Sequence, residues 1–176
     1  MNNEQKALVQ QSFEVVLTIE EAAAALFYGR LFEIDPSLRP MFKGDITEQG
    51  KKLMATLTVA VTSLDRIDKL LPTLQGLGRR HVDYGVTNAH YDTVASALLW
   101  TLEKGLGDLF TDECRQAWIE TYTLVATVMK EAAARAVQDL ENLPASQRGI
   151  VPLSQRMPVS QRMPSSSLPL SRRPAF

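Results

Sequence analysis

A chain of 176 residues that is 45% hydrophobic can bury one sizeable core, and nothing in its first 140 residues shifts in composition enough to divide it. The net charge of −1 excludes a broad basic surface for nucleic acid, although it conceals a split: residues 1–143 carry −6 and residues 144–176 carry +5. Cys114 is the single cysteine, which excludes an internal disulfide and a multi-cysteine metal centre and fits a reducing cytosol. The opening MNNEQKALVQ lacks a basic region followed by an apolar run, and no apolar stretch approaches the roughly 20 residues that cross a bilayer. A soluble, cytoplasmic protein is expected.

Apolar residues recur at steps of three and four throughout the first 140 residues, without runs of period-two alternation, so the expected class is all-α. Val9, Phe13, Val16 and Leu17 stripe a first helix that Asn2 or Asn3 can cap. Thr18-Ile19-Glu20-Glu21 has the spacing of a capping box and predicts a second helix, through Leu26, Leu31 and Phe32 to Asp35-Pro36. A short turn then carries Met41 and Phe42. Ile46, Leu53, Leu57, Val61 and Leu64 share one face of the next helix, and Gln49 falls on that face. Residues 65–69 read as a polar break, after which Pro72 opens a helix bearing Leu74, Leu77 and His81 and ending near Gly85. Thr87 or Asn88 caps a helix with Tyr91, Val94, Leu98 and Leu102, closed by Gly105 and Gly107. Thr111 opens the last helix, whose stripe from Trp118 through Tyr122, Val125, Met129 and Ala132 to Ala136 crosses the domain.

From Pro144 the character changes. Six of the nine prolines lie there, with SQR at Ser146, Ser154 and Ser160, so residues 143–176 read as a low-complexity, disordered tail behind a domain of residues 1–142. Its five arginines are spread too widely for more than weak contact with an anionic membrane surface.

His81 on a leucine face is open to two readings, a hydrogen-bonded core histidine or a metal ligand. Its company is more specific: FYGRLFEIDPSLRPMF, then Gln49 on a long amphipathic helix, then LGRRHVDYGV and Tyr91. In that order and with those separations, about eight helical segments resemble a globin, and more narrowly the bacterial single-domain haemoglobins and the globin module of flavohaemoglobins, over about residues 4 to 138. The resemblance implies a globin fold around a haem pocket with His81 as the proximal iron ligand. It implies Phe42, Leu53, Leu57, Leu77, Val86 and Val94 as pocket walls, and Tyr28 and Gln49 as distal hydrogen-bond donors to a bound gas. Core packing would equally account for Phe42 and Tyr28, and a solvent-facing position for Gln49. Lys52 and Arg80 are candidate propionate contacts, with solvated surface charge as the alternative; His90 suits a cap better than a ligand.

The family's proximal second shell pairs a tyrosine with a glutamate from the last helix. Tyr91 matches the tyrosine, but Ala133 stands where the glutamate is expected, and Glu131 lies two helical steps of about 100° away. The expected cofactor is haem b, held non-covalently because CxxCH is absent. The expected function is reversible dioxygen binding for capture, storage or delivery, with slow release. One alternative is a nitric oxide dioxygenase served by a separate reductase, since no flavin or nicotinamide domain follows. A gas-sensing or haemless globin-like signalling module is another.

Overall fold

The structure, a computed structural model, describes residues 1–143; the low-complexity segment expected from residue 144 onward lies outside them. Among the described residues there are six α-helices and three short 3₁₀ segments and no strand. The helices are α1 (Asn3–Leu17), α2 (Glu20–Ile34), α3 (Ile46–Thr62), α4 (Ile67–Asp83), α5 (Asn88–Leu106) and α6 (Asp112–Glu141).

Most ends follow local chemistry. Asn2 Oδ1 accepts from the Gln5 amide while Gln5 Oε1 accepts from the Asn2 amide, both at 2.8 Å, a closed capping box on α1. Asp45 caps α3 by accepting from the Thr47 amide at 2.8 Å, and Thr111 caps α6 by accepting from the Cys114 amide at 3.3 Å. Two expectations need correction. Thr18 does not cap α2: it is the last turn of α1, its hydroxyl donating to the Val15 carbonyl at 2.7 Å, and Ile19 takes the N-cap position. Only Thr18 and Ile19 separate the two helices, and the hydroxyl is spent on the first. Nor does Pro72 open α4. That helix begins at Ile67, inside the expected polar break, and carries Pro72 in its interior. Proline there removes one ladder bond, and buried Leu70 and Leu74 on either side hold the segment helical nevertheless.

The core has two parts. The larger joins α1, α2, α3, α5 and the first half of α6 around Trp118, Leu31 and Leu64. Trp118 Nε1 donates to Ser12 Oγ at 2.9 Å, and that hydroxyl donates to the Val9 carbonyl at 3.0 Å, so the polar atoms linking α1 to α6 are satisfied. The smaller part joins Leu70 and Leu74 of α4, Tyr91 of α5, and Ala126 and Met129 of α6. Consequently α4 packs chiefly on α6, and α3 chiefly on α2.

Two glycines permit the closest crossings. A Cβ on Gly50 of α3 would stand 2.9 Å from the Ala24 Cβ of α2, and one on Gly78 of α4 would collide with the Met129 carbonyl of α6. The first contact sets Gln49 against Tyr28 of α2, and His81, three residues after Gly78, stands beside Tyr91 of α5. No helix among the described residues is long and apolar enough to cross a membrane.

Candidate functional site

His81 occupies the last turn of α4, and Gly85 at φ +76° turns the chain back toward α5. Its Nδ1 lies 2.8 Å from the Leu77 carbonyl oxygen. A carbonyl only accepts, so Nδ1 carries the proton and Nε2 holds the lone pair of a neutral imidazole. Burial above all holds the His81 pKa below the ordinary histidine range; the Arg80 guanidinium adds to that, and the bond to Leu77 opposes it. A neutral, metal-competent imidazole is therefore the favoured state.

The Tyr91 ring stacks on His81 at a centroid distance of 6.1 Å and an interplanar angle of 28°. The Tyr122 hydroxyl donates to the Tyr91 backbone carbonyl at 2.7 Å, tying α5 to α6, while the Tyr91 hydroxyl is buried and has no hydrogen-bond partner. Burial raises the pKa of both phenols, most for Tyr122, where the neighbouring Tyr91 and Asp92 act in the same direction. Lys130 of α6 places Nζ 5.2 Å from the Tyr91 ring centroid.

The structure brings Tyr28 and Gln49 together, but their polar atoms meet the backbone. The Tyr28 hydroxyl donates to the Gln49 main-chain carbonyl at 3.3 Å, and the Gln49 side-chain amide donates to the Lys43 carbonyl at 3.2 Å. Tyr28 sits edge-on to Phe42 at 5.3 Å and beside Phe32 at 5.9 Å, and burial pushes its pKa up to about 12. Phe42 thus joins an aromatic cluster where the short 3₁₀ segment Pro36–Met41 ends.

Six apolar residues implied as pocket walls share one property. Phe42, Leu53, Leu57, Leu77, Val86 and Val94, drawn from α3, α4, α5 and the turns beside them, are all half-buried. Protein alone does not cover them, although each is bordered by fully buried core. A flat apolar group with a metal at its centre suits this belt and the lone pair of His81. Leu53 and Leu57 also line an apolar cavity of about 20 Å³ with Met54, Leu98 and Trp118.

Lys52 is exposed on α3 and Arg80 is half-buried on α4. His90 is a cap: its Nδ1 accepts from the Thr87 amide at 3.1 Å. Glu131 is exposed and paired with Arg135 at 3.2 Å, as its position two steps from Ala133 requires. Sequence reasoning passed over Gly50, Gly78 and Lys130. The glycines adjoin or nearly adjoin Gln49 and His81, and Lys130 stands three residues before Ala133, on the same helical face.

Comparison with known proteins bears on the family and the fold. The family model described as Globin matches residues 25–129. Neuroglobin of Danio rerio is 30% identical over 149 residues, 77% of this chain and 94% of that protein. Neuroglobin of Chaenocephalus aceratus is 28% identical over 153 residues, 79% and 96% of the two chains. Among solved structures, an engineered carbene transferase, described as a proposed nitric oxide dioxygenase from Rhodothermus marinus, superposes with a TM-score of 0.73 at 25% identity, over 81% of this chain and 99% of that one. A hexacoordinated haem protein from an anhydrobiotic tardigrade gives a TM-score of 0.69 at 18% identity, over 76% and 96%, a likeness of fold. The chain belongs to the globin family. The sequence relatives named here are vertebrate neuroglobins rather than bacterial haemoglobins.

Proposed function

We propose that this globin binds haem b non-covalently between α3 and α4 and uses it to bind dioxygen reversibly. The carrying observation is the His81 imidazole, with Nδ1 committed to the Leu77 carbonyl and the Nε2 lone pair left for a metal, set among the half-buried apolar residues. Haem iron supplies the gas-binding centre; the chain supplies everything else. His81 is the proximal ligand, with Tyr91 stacked beside it to fix the ring plane. Phe42, Leu53, Leu57, Leu77, Val86 and Val94 form the apolar walls that exclude water. Lys52 and Arg80 offer cations at the rim for propionates.

Tyr28 and Gln49 are the distal donors in this reading. Their present acceptors are backbone carbonyls at 3.3 and 3.2 Å, the long end of the hydrogen-bond range, so both can be redirected at small cost. This pair, with Tyr91, is what favours the bacterial single-domain type within the family. The single cysteine favours a reducing cytosol. The spectrum of the purified full-length protein, ferric and ferrous, tests the reading: a Soret band is expected, lost or displaced in His81→Ala. No Soret band after growth with ample haem would overturn it in favour of a haemless module.

A second reading, nitric oxide dioxygenation with electrons from a separate reductase, is favoured by the likeness to the Rhodothermus marinus protein. It requires sustained nitrate formation when a reductase is added, and a single stoichiometric turnover would exclude it as a catalytic function.

A further inference from the structure

The proximal side carries charge of the opposite sign to the one its resemblance implies. Where a glutamate is expected there is half-buried Ala133, and Glu131, the nearest carboxylate on that stretch of α6, is turned to Arg135 at 3.2 Å. In its place Lys130, three residues before Ala133 and on the same face, holds Nζ 5.2 Å from the centroid of the Tyr91 ring. That ring stacks on His81, whose charged neighbour is Arg80. Asp92 stands 3.6 Å from Lys130 Nζ with a side chain 84% exposed, where water weakens its hold on the ammonium. The Tyr91 hydroxyl is buried without an acceptor.

We propose that Lys130 is a positioning residue that, through Tyr91, keeps His81 a weakly donating neutral ligand and so favours ferrous iron. The proposal rests on the reading that His81 ligates haem. A cation over a phenol face is attracted to the ring quadrupole and draws its electron density. A phenol in that field, lacking a carboxylate acceptor, has no negative charge to pass toward the imidazole. A carboxylate at the same place does the reverse, making the ligand more basic and stabilising the ferric state. Lys130 thereby moves the site toward reversible gas binding and away from chemistry that needs a strongly donating imidazole.

The test uses the full-length, haem-loaded protein and the variants Lys130→Arg, Lys130→Met and Lys130→Glu. Two quantities are read: the ferric-to-ferrous ratio at a fixed applied potential, and the iron–histidine stretching band of the ferrous protein by resonance Raman. The ratio is expected to rise in the order of charge, with Arg matching wild type, Met intermediate, and Glu about tenfold higher, equivalent to about 59 mV for one electron; the band is expected to move to higher frequency in the same order. Equal ratios in Lys, Met and Glu, or equal shifts in all three variants including Arg, overturn the proposal in favour of packing alone. Ala133→Glu, which puts a carboxylate on the same face without touching Lys130, must shift both readouts as Lys130→Glu does. It keeps the proposal open to refutation if Lys130→Glu fails to fold. A spectrum unchanged in His81→Ala would refute the ligation reading itself; a His81-dependent spectrum with flat Lys130 ratios refutes only the role of Lys130.

Discussion

The regions around Tyr28 and Tyr91 treat their buried tyrosines in opposite ways. Tyr28 lies in the larger core among Phe27, Phe32 and Phe42, and its hydroxyl is satisfied by the Gln49 carbonyl. Tyr91 lies in the smaller core beside His81, and its hydroxyl has nothing to bond. A buried hydroxyl left unpaired costs about 1–3 kcal/mol, whereas a made bond contributes about 1 kcal/mol. The Tyr28 hydroxyl thus has an acceptor within the folded protein, although a distant one. The Tyr91 hydroxyl has no acceptor within the protein, next to the residue on which the proposed function depends.

Four measurements can break or sharpen this contrast. The largest effect is expected from Gly78→Ala, whose Cβ meets the Met129 backbone. Because backbone rather than a pliable side chain is in the way, α4 must lift from α6, at a cost of about 3 kcal/mol by urea unfolding. Gly50→Ala meets only the Ala24 Cβ at 2.9 Å and should cost less, about 1 kcal/mol. Equal losses would mean that the two crossings are equally rigid.

Alkaline pH comes next. Tyr28 is raised to about 12 in the fold, against about 10 in the unfolded chain. Below pH 10 both states keep the proton and Tyr28 adds no pH dependence. Between pH 10 and 12 the unfolded state ionises first, so stability falls with rising pH, by up to about 2–3 kcal/mol for this group. Tyr91 and Tyr122, also raised, act with the same sign. Tyr28→Phe should flatten the profile by its own share, and an unaltered profile would place the alkaline sensitivity elsewhere.

The paired substitutions Tyr28→Phe and Tyr91→Phe put the contrast most directly. The first removes a made bond and should destabilise by about 0.5–1 kcal/mol; the second removes an orphan and should be neutral or stabilising by about 1 kcal/mol. Without cofactor, Tyr28→Phe should melt lower than the parent and Tyr91→Phe at the same temperature or higher, and a loss in both would sink the comparison. Smallest of all, Gln49→Leu gives up one half-exposed bond to Lys43 and should leave stability within about 0.5 kcal/mol, while speeding dioxygen release in rapid mixing if the side chain serves as a distal donor.

How much of this was legible in the sequence depended on how local the governing interaction is. The placement of Gln49 on α3, His81 near the end of α4 and Tyr91 at the start of α5 follows from apolar periodicity and caps, which are set within a few residues. Thr18 and Pro72 misled because each local signal had a competitor: the end of α1 for the hydroxyl, and the burial of Leu70 and Leu74 for the helix around the proline. The sequence leaves core packing open for Tyr28 and a solvent-facing position open for Gln49, and their backbone acceptors are not legible in it, because side-chain rotation leaves no trace in spacing. Lys130 over Tyr91 joins residues 39 apart in the sequence across two helices, a contact that only the tertiary fold creates.

The interior proline of α4 has a consequence for how the molecule comes apart. With one ladder bond missing at Pro72 and its buried residues in the smaller core, α4 should open in hydrogen exchange before the helices around Trp118. A guest that fills the belt beside Leu77 and Val86 would then close that unit, so that uptake of the cofactor and the last stage of folding become one event, with an affinity reduced by whatever fraction of the free chain is open at any moment.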